Sequence, residues 1–496
     1  MYKKILSLTL MLTLLFSAFS VNAEKKVAKP WDEAIVYSLM VDRFNNGDNK
    51  NDYDINLKEP LRYHGGDFQG IIDKLDYIQE MGFNTIQLSS IFDNEENGYH
   101  GEWIIDYFKP EEHFGTIEKF KELVQDISDR GMKILVEFPV NQLGKSHPWV
   151  TDEQAWIQTN TEGFPTPDLS MPEVQQYFID VANWWVIETG LDGFVMTDVN
   201  EGPIEFWQEF SASVKAENPS IFLMGTTSDA SQDQTAISEY LNAGIDSMGD
   251  VPLNRPLREA FSKPDRSLQP VIDVWEQNEA TYEKPALMTA FFDHANMERY
   301  TRDMVNENEF PGIRWKLALT YLFAQPEIPV VYYASEIAVD GGQAPENRQT
   351  MNFRTDPELI DHITTVGEVR RNQPALTKGT WELLYENNGM AIIKRQYKED
   401  TVVLAINNTT KDSSALISAD QLEDNKELRG LLGTDLVRSD NGKYKIVVER
   451  ESAEIYKMTE KSGINILFIF ALIAVFGLFV LFMYIVWKRG KNRPIK

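Results

Sequence analysis

The chain has no cysteine in its 496 residues. That excludes a disulfide framework, a thiolate metal site and a cysteine nucleophile, and leaves a hydrophobic core, helped by metal, to hold the fold. Basic residues are also scarce: 48 Lys and Arg face 76 Asp and Glu, for a net charge of −28. Phosphate recognition needs clustered cations, so nucleic acid is excluded as a partner of the main body. With 43% hydrophobic and 25% charged residues, the composition is neither disordered nor collagen-like. A body this acidic suits a neutral ligand or a cation.

Two apolar runs stand apart at the ends. Lys3 and Lys4 precede an apolar stretch over 5–19 and then Val21-Asn22-Ala23, the pattern of a secretory signal cleaved after Ala23 (1–23). Near the other end, 464–487 carries no charge, with Tyr484 and Trp487 at its border and Lys488, Arg489, Lys491, Arg493 and Lys496 following. That length can cross a hydrocarbon core of ~30 Å, and the cations of 488–496 predict a cytoplasmic tail. The expectation is a single-pass protein of a bacterial cell surface with its body outside.

Between these ends, 34–371 alternates short β-branched runs with longer helical patterns. Strands are predicted at 35–40, 85–89, 133–138, 193–197, 221–225, 286–292 and 329–333. Helices are predicted at 69–81, 117–130, 172–189, 203–215 and 313–324. Such alternation implies parallel strands with crossover helices, and a closed (β/α)8 barrel over 24–375 suits it. From 376 to 459 alternating strands with turn punctuation predict a small antiparallel β domain.

Several strings resemble the α-amylase family (glycoside hydrolase family 13). They are Tyr63-His64-Gly65-Gly66-Asp67-Phe68, His113-Phe114-Gly115-Thr116, Pro167-Asp168-Leu169, Ile328-Pro329-Val330-Val331-Tyr332-Tyr333 and Asn347-Arg348-Gln349-Thr350-Met351. Their order spans nearly the whole body. The resemblance implies a TIM barrel with a short insertion after strand three, about 142–172, a C-terminal β domain and a place in α-glucan metabolism. It also implies three carboxylates at strand ends, because a forming oxocarbenium ion needs an anion and the leaving oxygen a proton.

Those carboxylates are missing. Where the family has Gly-Phe-Arg-x-Asp, this chain reads Gly193-Phe194-Val195-Met196-Thr197; the strand-five acid is Thr226, and the third carboxylate is Asn296. Strand three offers Glu137, Asn141 and Gln142, and Glu102 replaces a sugar-stacking tyrosine. Neither Thr nor Asn is an acid or base of suitable pKa, so the expected function is non-hydrolytic α-glucan or maltooligosaccharide binding, with Trp103, Asn141, His294 and Arg299 as contacts. Two alternatives stay open. One is a retaining hydrolase with displaced carboxylates such as Asp198, Asp229 and Asp293, with Glu201 and Glu137 as further candidates; the other is a protein-interaction scaffold at the membrane. The plain reading of the three Asp is solvated or capping side chains, since one step along a strand reverses a side chain unless a bulge intervenes. Tyr99, Trp103, Trp149 and Trp156 are expected near the cleft as stacking rings, and Trp184 and Trp185 in the core.

The oxygen-rich segment Asn45-Asn46-Gly47-Asp48-Asn49-Lys50-Asn51-Asp52 resembles a calcium loop of some family members. The resemblance implies a structural Ca²⁺ on Asn46, Asp48, Asn51, Asp52, the Gly65 carbonyl and Asp67. Such hard oxygen donors suit that ion; the alternative is an Asx-rich surface turn.

Overall fold

A computed structural model describes residues 30–159, 163–228, 231–461 and 466–491. The signal expected at 1–23, the candidate Asp229 and the end of the basic tail beyond 491 lie outside the described residues.

Eight parallel strands form one sheet: β1 (Val36–Leu39), β2 (Thr85–Leu88), β3 (Lys133–Phe138), β4 (Gly193–Met196), β5 (Phe222–Gly225), β6 (Ser247–Met248), β7 (Thr289–Phe291) and β8 (Ile328–Tyr332). Their order is β6-β5-β4-β3-β2-β1-β8-β7, and a parallel bridge from Gly249 to Thr289 closes the ring. The strand run that patterning missed is β6, whose two residues are too few to show a period.

Alternation along each strand divides the core. On β3 and β4, Ile134, Val136, Phe138, Phe194 and Met196 point outward and pack in the large core with the crossover helices. Leu135, Val195, Phe222 and Met224 point inward and join Val36 and Ile328 in an apolar plug, as a filled barrel requires. Trp185 is fully buried, as expected for a core residue. The helix Pro172–Thr189 opens with proline in its first turn and ends at Gly190, whose φ of 69° is the left-handed C-terminal cap that glycine adopts at least cost. The helix expected over 69–81 is two, Phe68–Ile72 and Leu75–Glu80.

A second eight-stranded sheet, antiparallel where its strands pair, follows: β9 (Thr380–Asn387), β10 (Met390–Tyr397), β11 (Asp400–Asn407), β12 (Ser413–Ser418), β13 (Lys426–Gly430), β14 (Leu436–Asp440), β15 (Lys443–Val448) and β16 (Ser452–Glu460). Buried polar groups bind it to the barrel. Arg395 donates to the Ala324 carbonyl at 2.8 Å, and the Asn408 amide donates to the carbonyls of Ala260, Lys263 and Arg266. Finally the helix Ile466–Lys491 carries the one stretch, among the described residues, long and apolar enough to cross a membrane, Ile469–Lys488.

Candidate functional site

At the C-terminal ends of the strands lies a cleft of about 390 Å³, within the range of roughly 300–1,000 Å³ that small-molecule sites occupy. Thr197, Thr226 and Asn296 all line it. The Thr197 hydroxyl is buried without a hydrogen-bond partner. The Thr226 hydroxyl accepts the Asp198 N–H at 3.2 Å. Asn296 is fixed from behind, its Oδ1 accepting from Arg348 Nη2 at 2.6 Å. The three residues share one cleft, and none carries a titratable acid.

Asp198 is where the plain reading of the sequence fails. Strand β4 stops at Met196, and Asp198 takes a left-handed conformation, φ 53° and ψ 49°, which Asp tolerates better than most residues. That turn does what a bulge would have done, so Thr197 and Asp198 both line the cleft. Asn141 Nδ2 donates to Asp198 Oδ2 at 3.1 Å. Burial first, then the charges of Glu201 and Glu102, push the Asp198 carboxyl up to about 6.

Glu137 stands at the top of β3, directly opposite Val195 on β4. Beneath it lies the apolar plug, and no arginine faces it from β4. Burial pushes its carboxyl up to about 7, while the hydrogen bond from Gln87 pulls the other way and nearby Glu102 adds to the rise. Gln87 Nε2 makes that bond at 3.0 Å. Glu102 also lines the cleft, 3.3 Å from His100 Nδ1 and 3.8 Å from Arg348.

Other candidates divide. Asp293 lines the cleft, yet one carboxylate oxygen accepts the Tyr300 N–H and the other the Ser335 hydroxyl, so it braces the strand-seven loop. His294 lines the cleft; desolvation by the surrounding protein first, and then Arg258 and Arg348, hold it below the ordinary histidine range against the pull of Asp293. Arg299 is a correction: it is wholly buried, donates to the Asn347 and Tyr333 carbonyls and does not reach the cleft. Trp103 is another, stacked on Phe164 at 4.9 Å and outside the cleft lining. Glu201 is outside that lining and accepts from Ser228, which belongs to it. Trp149 packs on Trp156 and Tyr177 and Tyr99 lies under Arg43, so the expected stacking rings serve the local cores. Among the described residues Phe291 is the one phenyl, phenol or indole ring in the lining. Sequence reasoning missed Gln87 and Ser90, both buried cleft residues; their place at the end of a barrel strand was the available signal.

The oxygen-rich loop is partly assembled. Asn46 Nδ2 donates to Asp52 Oδ1 at 2.7 Å, and both atoms crowd Gly65, where a Cβ would lie 2.6 and 2.7 Å from them; with φ at +87°, only glycine fits. Asn51 Oδ1 is buried without a partner. Asp67 instead caps the helix Phe68–Ile72, accepting from Gly70, and also takes the N–H groups of Gly47 and Asp48. Asp48 accepts from Lys50 N–H. Among the described residues no three Asp, Glu or His side chains gather closely enough to hold a metal, so an ion here would draw on amide and carbonyl oxygens beside the carboxylates.

Comparison with known proteins adds to this geometry. The model of the α-amylase catalytic domain matches 38–165, and that of the α-amylase C-terminal domain matches 379–456. The crystal structure of an Anoxybacillus α-amylase is 46% identical, with a TM-score of 0.86, covering 88% of this chain and all of that one. An α-amylase from Geobacillus thermoleovorans, solved with acarbose, is 41% identical with a TM-score of 0.84 and covers 88% of this chain and 100% of its own. A β/α-amylase of Paenibacillus polymyxa is 27% identical across 86% of this chain, which spans 38% of that longer protein.

Proposed function

The chain belongs to the α-amylase family, and from that premise we propose that it binds an α-glucan or maltooligosaccharide in its barrel mouth without the family's hydrolytic chemistry. One observation carries the reading: hydroxyl and amide groups of Thr197, Thr226 and Asn296 line the cleft at the positions where the resemblance calls for three carboxylates. A retaining mechanism needs one carboxylate to attack and another to give a proton, and these groups do neither. The relative solved with acarbose supports an oligosaccharide as the occupant. The apolar helix Ile469–Lys488 supports a membrane tether, with the body outside and Lys488 on the cytoplasmic side.

The proposal includes a structural Ca²⁺ at the 46–67 loop. The unpartnered Asn51 oxygen supports an ion of flexible oxygen coordination; Asn46, Asp48, Asp52, the Gly65 carbonyl and Asp67 would complete the donors, Asn46 by turning its Oδ1 to the place where its Nδ2 now meets Asp52.

The test is the full chain in detergent, titrated with maltotriose by calorimetry and assayed for reducing sugar. Binding without turnover is expected. Turnover that Asp198→Asn or Asp293→Asn abolishes would overturn the reading and establish the second one, a hydrolase with displaced carboxylates. That second reading is favoured by Asp198, a carboxyl held near 6 inside the cleft.

A further inference from the structure

Resting on the glucan binding and the membrane tether just proposed, we infer that the chain stands on its bilayer with the floor of the barrel toward the lipid and the cleft turned away. The glucan it takes is then one carried in water, not a glycolipid of the same membrane.

The direction of β16 carries this inference. The cleft lies at the C-terminal ends of the barrel strands, and the floor is the end where those strands begin. Helix Pro311–Ala324 leads into β8, so it descends from the cleft end and finishes at the floor. Its first turn holds Arg314, whose Nη1 lies 3.3 Å from Glu451 Oε2, one residue before β16. Its last residue, Ala324, gives its carbonyl to Arg395 at 2.8 Å.

Further along β16, Lys457 Nζ donates to Gln373 Oε1 at 2.8 Å. Gln373 follows the helix Glu358–Asn372, whose Arg370 donates to the carbonyls of Gln325 and Glu327 just before β8. Gln373 therefore belongs to the floor. Asp400, beside Lys457, accepts the Ala375 N–H at the same level, and Lys378 there pairs with Glu33, just before β1. Strand β16 thus starts alongside the upper barrel, reaches the floor at Lys457 and runs past it to Glu460.

Reach decides how far the body can turn. Helix Ile466–Lys491 starts six residues after Glu460, so even a fully extended chain joins them across no more than roughly 22 Å. Strand β16 has nine residues and spans about 26 Å. Turning the cleft onto the lipid would lift Glu460 at least that far, above a headgroup layer of about 6 Å, and the connection falls short. A body lying on its side opens the cleft along the membrane, not into it. A sugar fixed at the headgroups does not reach such a cleft, whereas a glucan in solution does.

The chain has no cysteine, so single dyes can be placed through Lys443→Cys and Asp152→Cys, both at exposed positions. Lys443 marks the floor end: Arg438 and Thr459 both pair with Glu427, and Lys443 faces Asp440 beyond them. Asp152 lies on the insertion that follows β3 at the cleft end. In phosphatidylcholine vesicles containing a rhodamine-headgroup lipid, energy transfer to the lipid from position 443 should be at least twice that from 152. Equal transfer, or the reverse order, overturns the inference. Maltotriose in the water should bind the unaltered chain in vesicles within twofold of its affinity in detergent. Maltotriose linked to dipalmitoylglycerol in the same vesicles should not displace it, and displacement overturns the inference. A chain that does not float with the vesicles sinks the tether and this inference together. Absence of maltotriose binding sinks the proposed glucan function alone, and the dye pair then decides the orientation.

Discussion

Glu137 and Val195 face each other at the top of the plug, an acid beside an apolar side chain at the position where the family resemblance has an arginine. Water is the remaining solvent for that carboxylate, and burial withholds much of it, raising the group from 4.5 to about 7. An acid raised on folding costs stability as pH climbs from about 4.5, with the full cost reached above about 7 and none below the unfolded value. The shift corresponds to a cost on the order of 3 kcal/mol, reduced by cleft water that reaches the carboxyl. Glu137→Gln should therefore raise the denaturation midpoint at pH 8 and leave it nearly unchanged at pH 4, as read by urea titration at both values. Equal gains at the two pH values would contradict the assignment. At this scale the sequence was informative where identity alone decides. Thr197, Thr226 and Asn296 were legible because the neighbouring string aligned; Arg299 was misplaced because alignment does not say which face an arginine takes.

The turn after β4 shows what an element can hide. Strand parity put Asp198 outside, and φ of 53° brings it in. The cause is tertiary: its N–H is held by Thr226, just past the end of β5, and its carboxylate by Asn141, partners far away in sequence. At pH 4, where the raised Asp198 carboxyl adds little cost on folding, Asp198→Asn should keep the conformation and change stability by no more than about 0.5 kcal/mol, because Asn also tolerates the left-handed region. Asp198→Val should cost roughly 1–2 kcal/mol, because a β-branched apolar side chain does not tolerate the left-handed region as Asp and Asn do, with both read by chemical denaturation. Similar values for the two would show that the backbone is not the constraint. The 46–67 loop carries the matching prediction for metal. Chelation by EDTA should lower the melting temperature by several degrees, calcium should restore it, and Asp52→Ala should remove that response. The two short helices in place of one over 69–81, and the two-residue β6, were beyond pattern reading because neither is long enough to display a period.

At the scale of the whole chain, strand–helix alternation was enough to expect the barrel, and the change to period-two alternation marked the second domain. The seam between them was not legible, since Arg395 and Asn408 are polar residues whose burial follows from carbonyls on another domain. The C-terminal helix poses a separate problem of solvent. Its side chains from 469 to 487 are exposed along the stretch, Val475 and Phe476 at 67% each, and the barrel and β domain cover none of that window. A soluble protein rarely exposes an apolar surface that large and continuous, which supports the proposed membrane tether. Its backbone N–H and C=O groups are satisfied internally, which is the condition for entering a bilayer. The full chain should therefore sediment with membranes and resist alkaline carbonate, whereas a chain ending at Lys461 should stay in the supernatant. Arginine near the middle of a spanning helix costs about 2.5–3.5 kcal/mol by insertion scales, and two should exceed what the stretch can offset. Phe476→Arg with Leu478→Arg should release the chain to the soluble fraction, while Phe476→Leu should not. Retention of the double-arginine protein after carbonate treatment would mean that something other than this helix holds the body at the membrane.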